Sequence, residues 1–426
     1  MRRLYSMLII CAAPIAFAIV LWRGLRDRSY WLGLEERLGL GRRSPAPTIW
    51  LHAVSLGEMS AAAPLMRGIR DRHPQIPLVV TTATPAGRAR ALALFGDSVD
   101  VRYLPYDTPG SVKRFLSRIQ PRVAIIMETE LWPNLFSCCE RLGVPVLLAN
   151  ARLSARSVLS YRRFGRLFKD VFSSNVLVAA QSADDAQRFK SIGADAASTR
   201  IVGNVKFDLQ PDAAAALLGR DLRAAFGAAR SVWIAGSTHA GEEEQVLDAQ
   251  MLLQAHRPNT LLLLVPRHKD RFQGVADLLA RRGVKFARRS AGAPKDDVQV
   301  LLVDTVGELA ALYASADIAF VGGSLVPVGG HNLLEPAALG LPVLTGPYHF
   351  NGKDIAELLL ARGAALPVAN AQDLAAALTR LFDDPAERRR IGIVGQEIVE
   401  SNRGSVLRLL DLIEPRLAEP RPAGTR

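Results

Sequence analysis

Short, unbroken apolar runs alternating with longer amphipathic stretches constrain this chain more than any other feature. The runs Thr48–Ala53, Pro77–Thr82, Val123–Met127 and Val146–Ala149 recur through the first half. Val232–Ala235, Leu261–Val265, Val298–Val303, Ile318–Val321 and Pro342–Leu344 repeat the pattern in the second, each bounded by Gly, Pro, Asp or Ser. A strand that is apolar on both faces must be covered on both faces, which parallel sheets with helical crossovers achieve. The expectation is therefore α/β, with two doubly wound halves. At 426 residues the chain also exceeds what one compact core organises, so two domains follow from size.

Such sheets bind ligands at the carboxyl ends of their strands, and two facing halves would create one central cleft. The expected boundaries are an N-terminal anchor with a basic flank at 1–28, a first Rossmann-like domain at 29–209 and a second at 210–390. A helix that crosses back, with a polar tail, completes the chain at 391–426. The hinge falls near residue 209, between the Gly203–Asp208 segment and an Ala-rich helix after Pro211.

From Leu4 to Trp22 the chain is nearly all apolar, with Arg2 and Arg3 before it and Arg23, Arg26 and Arg28 after it. The length suffices to span a bilayer, while Ser6 and Pro14 leave an interfacial anchor open. Ile10 stands where a lipoprotein signal wants a small residue before its Cys11, and the basic cluster after the segment resists export. The body is expected on the cytoplasmic side of the membrane. The formal charge of +12 then points to an anionic membrane surface rather than nucleic acid. Cys11, Cys138 and Cys139 form no disulfide framework, and no two of the seven histidines stand at i, i+4. No bound metal and no cofactor are expected.

Three groups of residues could carry chemistry. Val54-Ser55-Leu56-Gly57-Glu58 follows the first apolar run and places Glu58 in the first turn of a helix. A helix N-terminus favours the charged carboxylate, so Glu58 is expected deprotonated near neutral pH, either as a base or as an ordinary first-turn acid. Met127-Glu128-Thr129-Glu130 ends another run and sets two acids at a buried strand end. Lys206, Arg152 and Arg156 are the cations that could pair with them or hold an anionic substrate.

In the second half, Val321-Gly322-Gly323-Ser324 and Gly329-Gly330-His331-Asn332 flank a loop leading into Leu333-Leu334-Glu335-Pro336. Glycines permit close approach of backbone to a phosphate, and a helix starting near Asn332 would direct free N–H groups at it. Glu335 could accept hydrogen bonds from ribose hydroxyls. Pro266-Arg267-His268 and Asp304-Thr305-Val306-Gly307-Glu308 end two further runs and should border the same pocket. Ala235-Gly236-Ser237-Thr238-His239 resembles a phosphate turn but lacks the full dinucleotide fingerprint, which argues against a dehydrogenase.

Taken together, His52–Glu58, METELWPN from Met127, NARLSARS from Asn150, GNVKFD from Gly203, AGSTH from Ala235, VPRH from Val265 and GGHNLLEP from Gly329 resemble the 3-deoxy-D-manno-octulosonic acid (Kdo) transferase family over nearly the whole chain. The resemblance implies a glycosyltransferase-B fold, CMP-Kdo as donor, the lipid A precursor lipid IVA as acceptor, and action at the cytoplasmic face of the inner membrane in Gram-negative lipopolysaccharide synthesis. It further implies Glu58 as proton acceptor and Glu128 and Lys206 as transition-state stabilisers. CMP would be held by Pro266, Arg267, Val306, Gly307, Glu308, Asn332, Leu333, Leu334 and Glu335. Val306 departs from the Met associated with that motif, which matters little if the contact is made by backbone.

Overall fold

The computed structural model describes residues 1–172, 175–209, 212–227, 229–292, 294 and 297–418. Two compact units emerge: Met1–Asp208 together with the chain from Arg403 onward, and Leu209–Asn402. Pro211 and the polar tail after Ala418 lie outside the described residues.

The first unit holds a seven-stranded parallel sheet, formed by β1 (Thr48–His52), β2 (Leu78–Thr82), β3 (Asp100–Tyr103), β4 (Pro121–Met127), β5 (Val146–Ala151), β6 (Val176–Ala180) and β7 (Thr199–Ile201). The strand order is β3-β2-β1-β4-β5-β6-β7. Alternate residues feed opposite faces, as the two-residue period of a strand requires. Ile49 and Leu51 join one core with Ile125 and Leu147, while Trp50 joins the other with Ile126 and Leu148. Helices open where the sequence supplies a side-chain cap, often with proline at the first helical position: Thr84 before Pro85 and Thr108 before Pro109.

The second unit repeats the plan with β8 (Val232–Thr238), β9 (Leu261–Pro266), β10 (Phe286–Arg288), β11 (Val300–Leu302), β12 (Ile318–Val321), β13 (Val343–Thr345) and β14 (Ala365–Pro367). Their order is β10-β11-β9-β8-β12-β13-β14, again all parallel. Trp233 and Ala235 pack to one side, Val232 and Ile234 to the other.

The periodic segment from Ile391 to Leu417, expected as one helix, is two. Pro385–Ser401 lies in the second unit, and Ser405–Ala418 follows a break at Gly404, where φ is 91°. Leu409, Leu410 and Ile413 of the later helix enter the first unit's core. Asp208 secures this return, its carboxylate accepting the N–H groups of Gly404 at 2.5 Å and Val406 at 2.6 Å.

Candidate active site

Each sheet has a central point at which the chain's connections turn to opposite sides, between β1 and β4 in the first unit and between β8 and β12 in the second. Loops leaving such a pair diverge to opposite faces and open a crevice at the strands' carboxyl ends. Four described non-glycine residues have positive φ: Gln120, Glu128, Asn150 and Ser237. Gln120 caps a helix, while the other three stand at the ends of β4, β5 and β8. Backbone strain of this kind costs on the order of 1–3 kcal/mol at each residue and concentrates at functional sites.

In the first unit, the loops after β1 and β4 bring Glu58, Glu128 and Glu130 within electrostatic reach of one another. Ser55 caps the Leu56–Arg72 helix, its Oγ accepting the Glu58 N–H at 3.3 Å. The Glu58 carboxylate turns back to accept the Val54 N–H at 3.0 Å. This capping arrangement fixes the carboxylate at the switch point, but it does not keep the group fully deprotonated near neutral pH as expected. Burial, together with the negative charges of Glu128 and Glu130, pushes Glu58 up to about 7, against the lowering by the Val54 and Ser55 hydrogen bonds. Desolvation of a half-buried carboxylate outweighs the helix terminus here.

Glu130 accepts a hydrogen bond from the Trp132 indole at 2.8 Å and is also raised, by burial and by Glu128. Glu128 holds its left-handed conformation, φ 57°, while its N–H donates to the Ala149 carbonyl at 2.9 Å. Asn150, fully buried, accepts the Val205 N–H through Oδ1 at 3.1 Å and so seats the Val205–Phe207 turn that carries Lys206. That turn packs against the Leu56–Arg72 helix. Arg156 is exposed, and the Arg152 carbonyl accepts the Thr129 hydroxyl. His52, at the end of β1, is enclosed and held neutral by burial, with its value near 4.

The second unit's candidates stand on the contiguous strands β11, β9, β8 and β12. Pro266 ends β9 and is buried, and Arg267 beyond it is exposed. The charge of Arg267 acts on Glu335, His239 and His331. Glu335 is raised by burial against an Asn332 amide that donates to it at 3.0 Å. Val306 is exposed beside Gly307, and Glu308 accepts Arg289 at 2.8 Å as well as the Thr305 hydroxyl. Leu333 and Leu334 have buried side chains, so only their backbone could meet a ligand, and the Leu334 N–H already donates to Asn332 Oδ1 at 3.1 Å.

Within the glycine loop, a buried glutamate that the motifs did not single out occupies the amides after β12. Glu242, with no exposed surface, accepts N–H groups from Gly323 at 2.7 Å, Leu325 at 2.9 Å, Ser324 at 3.1 Å and His239 at 3.3 Å. The Gly329 and Gly330 amides donate to the Gly323 carbonyl. A Cβ at Gly322 would fall 2.6 Å from the Ser237 carbonyl and 2.8 Å from the Glu242 carboxylate, so the close approach of the two strand ends needs glycine there. Glu242 thus binds the loops after β8 and β12 into one rim, and these amides are already taken.

A second unforeseen feature is the pairing of His239 and His331. Their rings stack at 5.1 Å with Nε2 atoms 2.8 Å apart, and His268 meets His239 edge-on at 5.5 Å. Burial lowers His331 to about 4 and lowers His239 as well, which favours neutral rings whose Nε2 atoms can share a hydrogen bond, one donating and the other accepting. The three histidines lie in three separate motifs, and only the sheet order unites them. No cluster of three or more His, Cys, Asp or Glu side chains suited to a metal occurs among the described residues.

Comparison with known proteins agrees with this picture. Residues 33–209 match the family model described as 3-Deoxy-D-manno-octulosonic-acid transferase (kdotransferase), and residues 286–397 match glycosyl transferases group 1. The chain is 40% identical to a 3-deoxy-D-manno-octulosonic acid transferase of Haemophilus influenzae, over 98% of this chain and 99% of that one. It is 37% identical to the Bordetella pertussis transferase, over 97% and 99%. In fold it resembles the crystal structure of UDP-GlcNAc 2-epimerase from Neisseria meningitidis, with TM-score 0.56 at 14% identity, covering 86% of this chain and all of that one. The last likeness shows the two-sheet glycosyltransferase-B architecture alone.

Proposed function

The chain belongs to the 3-deoxy-D-manno-octulosonic acid transferase family, and from that premise we propose that it transfers Kdo from CMP-Kdo to lipid IVA with inversion at the anomeric carbon. The observation that carries the mechanism is the Glu58 carboxylate, held at the first unit's switch point and raised to about 7. A base serves best when its value lies near the working pH, because it is then both available and strong enough to take the proton.

Glu58 takes the proton from a sugar hydroxyl of the acceptor. The hydroxyl oxygen bonds to the anomeric carbon as the bond from that carbon to the phosphate oxygen breaks on the opposite face, and CMP leaves with the electron pair. Glu128 helps keep Glu58 basic and, with Lys206, stabilises the charge that develops in an oxocarbenium-like transition state. Arg267 faces the phosphate, while Pro266, Val306–Glu308 and Asn332–Glu335 border the nucleotide. Leu333 takes part through its backbone alone. Lys206 and Arg267 supply the positive charge that a divalent ion would otherwise bring, so a chelator should leave turnover unchanged.

The acceptor's acyl chains remain in a bilayer, so the enzyme must meet the headgroup at the surface. The apolar N-terminal helix and its flanking arginines hold the protein at the anionic cytoplasmic face of the inner membrane. Incubation of the full chain with lipid IVA and CMP-Kdo, followed by mass spectrometry of the lipid, tests the reading. A mass gain of Kdo from CMP-Kdo, and none from UDP-sugars, is the expected result. An unmodified lipid, or transfer from a UDP-sugar, would overturn it.

A further inference from the structure

The Arg2–Gly24 helix is about 35 Å long at 1.5 Å per residue, enough to cross the roughly 30 Å of a bilayer's hydrocarbon core. Length and composition alone therefore favour a span. The contacts at its two ends do not. Arg2, Tyr5 and Ser6 stand at i, i+3 and i+4, on one face of the first turns. Tyr5 donates to the Asp107 carboxylate at 2.9 Å, Ser6 donates to Asn134 Oδ1 at 2.7 Å, and Arg2 donates to Ser137. Asp107 is buried and caps the Pro133–Arg141 helix through the N–H groups of Asn134 and Leu135, so these partners are fixed parts of the first unit.

The other end is tied to the same unit. Trp31 packs against Gly24 and donates its indole N–H to the Leu21 carbonyl at 3.1 Å. Five residues on, Glu36 forms a 2.7 Å ion pair with Arg88 and accepts the Tyr103 N–H. Between the ends, Ile9, Ala13, Ala16 and Val20 continue the partly covered stripe. Leu4, Leu8, Ile15, Ile19 and Trp22, joined by Met7, Ile10 and Leu21, form a broad exposed apolar stripe over the rest of the circumference. A helix crossing the bilayer would carry Tyr5 and the Gly24 end, tied through Trp31 and the short chain to Glu36, to opposite surfaces, where one globular unit cannot hold both.

We propose that this helix does not span the bilayer but lies in the plane of its interface, docked lengthwise on the first unit, with the Leu4 to Trp22 stripe sunk among lipid headgroups and upper acyl chains. The occupant of that stripe is anionic lipid. Arg3, Arg23, Arg26 and Arg28 are exposed along the helix and just past its end, and Arg26 lies 4.9 Å over the Trp22 ring, as interfacial anchors do. In this placement the docked helix sets the height of the first unit over the membrane, where an acceptor headgroup would be met.

The test needs no activity. In the full chain with Cys11→Ala, Arg3→Cys and Arg28→Cys are introduced separately, Cys138 and Cys139 being buried. A membrane-impermeant maleimide is applied to inverted and to right-side-out vesicles from expressing cells. Both positions should be labelled in the same preparation. Labelling of the two in opposite preparations would establish a span and overturn the proposal. Oxidation of a Ser6→Cys, Asn134→Cys pair in the membrane should give an intramolecular disulfide, and its absence would overturn the docking. Lipids brominated near the headgroup should quench Trp22 more than lipids brominated at the chain end. No quenching by either, with a dimer on sedimentation, would assign the stripe to a second copy instead.

Discussion

The two units share a topology and differ in what stands at the switch point. In the first, the crevice between β1 and β4 gathers carboxylates whose charge is poorly compensated, and Glu58 rises to about 7. In the second, the crevice between β8 and β12 gathers imidazoles and an exposed arginine, and its buried carboxylate, Glu242, is saturated by four backbone N–H groups. Burial acts on both acids in the same direction, but four backbone N–H groups oppose it at Glu242 where Glu58 has one N–H and the Ser55 hydroxyl. One fold thus yields a carboxylate raised to about 7 in one unit and a buried structural clamp near an exposed arginine in the other. What separates them is the number of donors facing the carboxylate.

Replacing the two acids should break the comparison most visibly. Glu58→Gln should lower kcat by about 10²–10⁴, the usual worth of a general base, while CMP binding measured by calorimetry is unchanged. Comparable activity in the variant would end the base assignment. Glu242→Ala should leave kinetics at Glu58 untouched in kind but lower stability by roughly 3 kcal/mol, since several amides lose their acceptor, and denaturant unfolding would measure it. Arg267→Ala should weaken CMP binding by about 10–100-fold, the range expected for a charge-assisted contact, with little change in the pH profile.

The pH dependence sharpens the same contrast. Transfer should rise with pH through about 7 as Glu58 loses its proton, and Glu128→Gln should move that limb to lower pH by removing a neighbouring negative charge. The sign for stability is opposite. Because the folded value lies above the ordinary 4.5, the stabilisation from burying a protonated Glu58 is complete below 4.5 and is lost as pH rises through about 7. Glu58→Gln should flatten that slope in unfolding measured across the interval. The smallest effect belongs to Val306, a residue 65% exposed: Val306→Ala should change CMP affinity by less than about twofold.

Much of the architecture was legible because the central strands are apolar on both faces, a pattern that only a sheet covered on both sides accommodates. The strands missing from that reading are mostly edges. β3 contains Asp100 and Arg102, β7 and β10 each contain an arginine, and β14 ends in proline, so none forms a clean apolar run. β6 is the exception, with a run as apolar as its neighbours that nothing in composition disguises.

The sequence by itself determined which segments become strands and helices, and that acids follow β1 and β4 while glycines follow β12, because those choices depend on neighbours a few residues apart. Only the tertiary structure decided what those groups experience. The rise of Glu58 needs burial and charges from Glu128 and Glu130, the occupation of the loop amides by Glu242 spans more than eighty residues, and the stacking of His239 on His331 joins two strands. The fate of the N-terminal helix is of the same kind: its apolarity is local, but whether it crosses a membrane turns on Asp107 and Asn134, which the chain brings to its first turns only by folding.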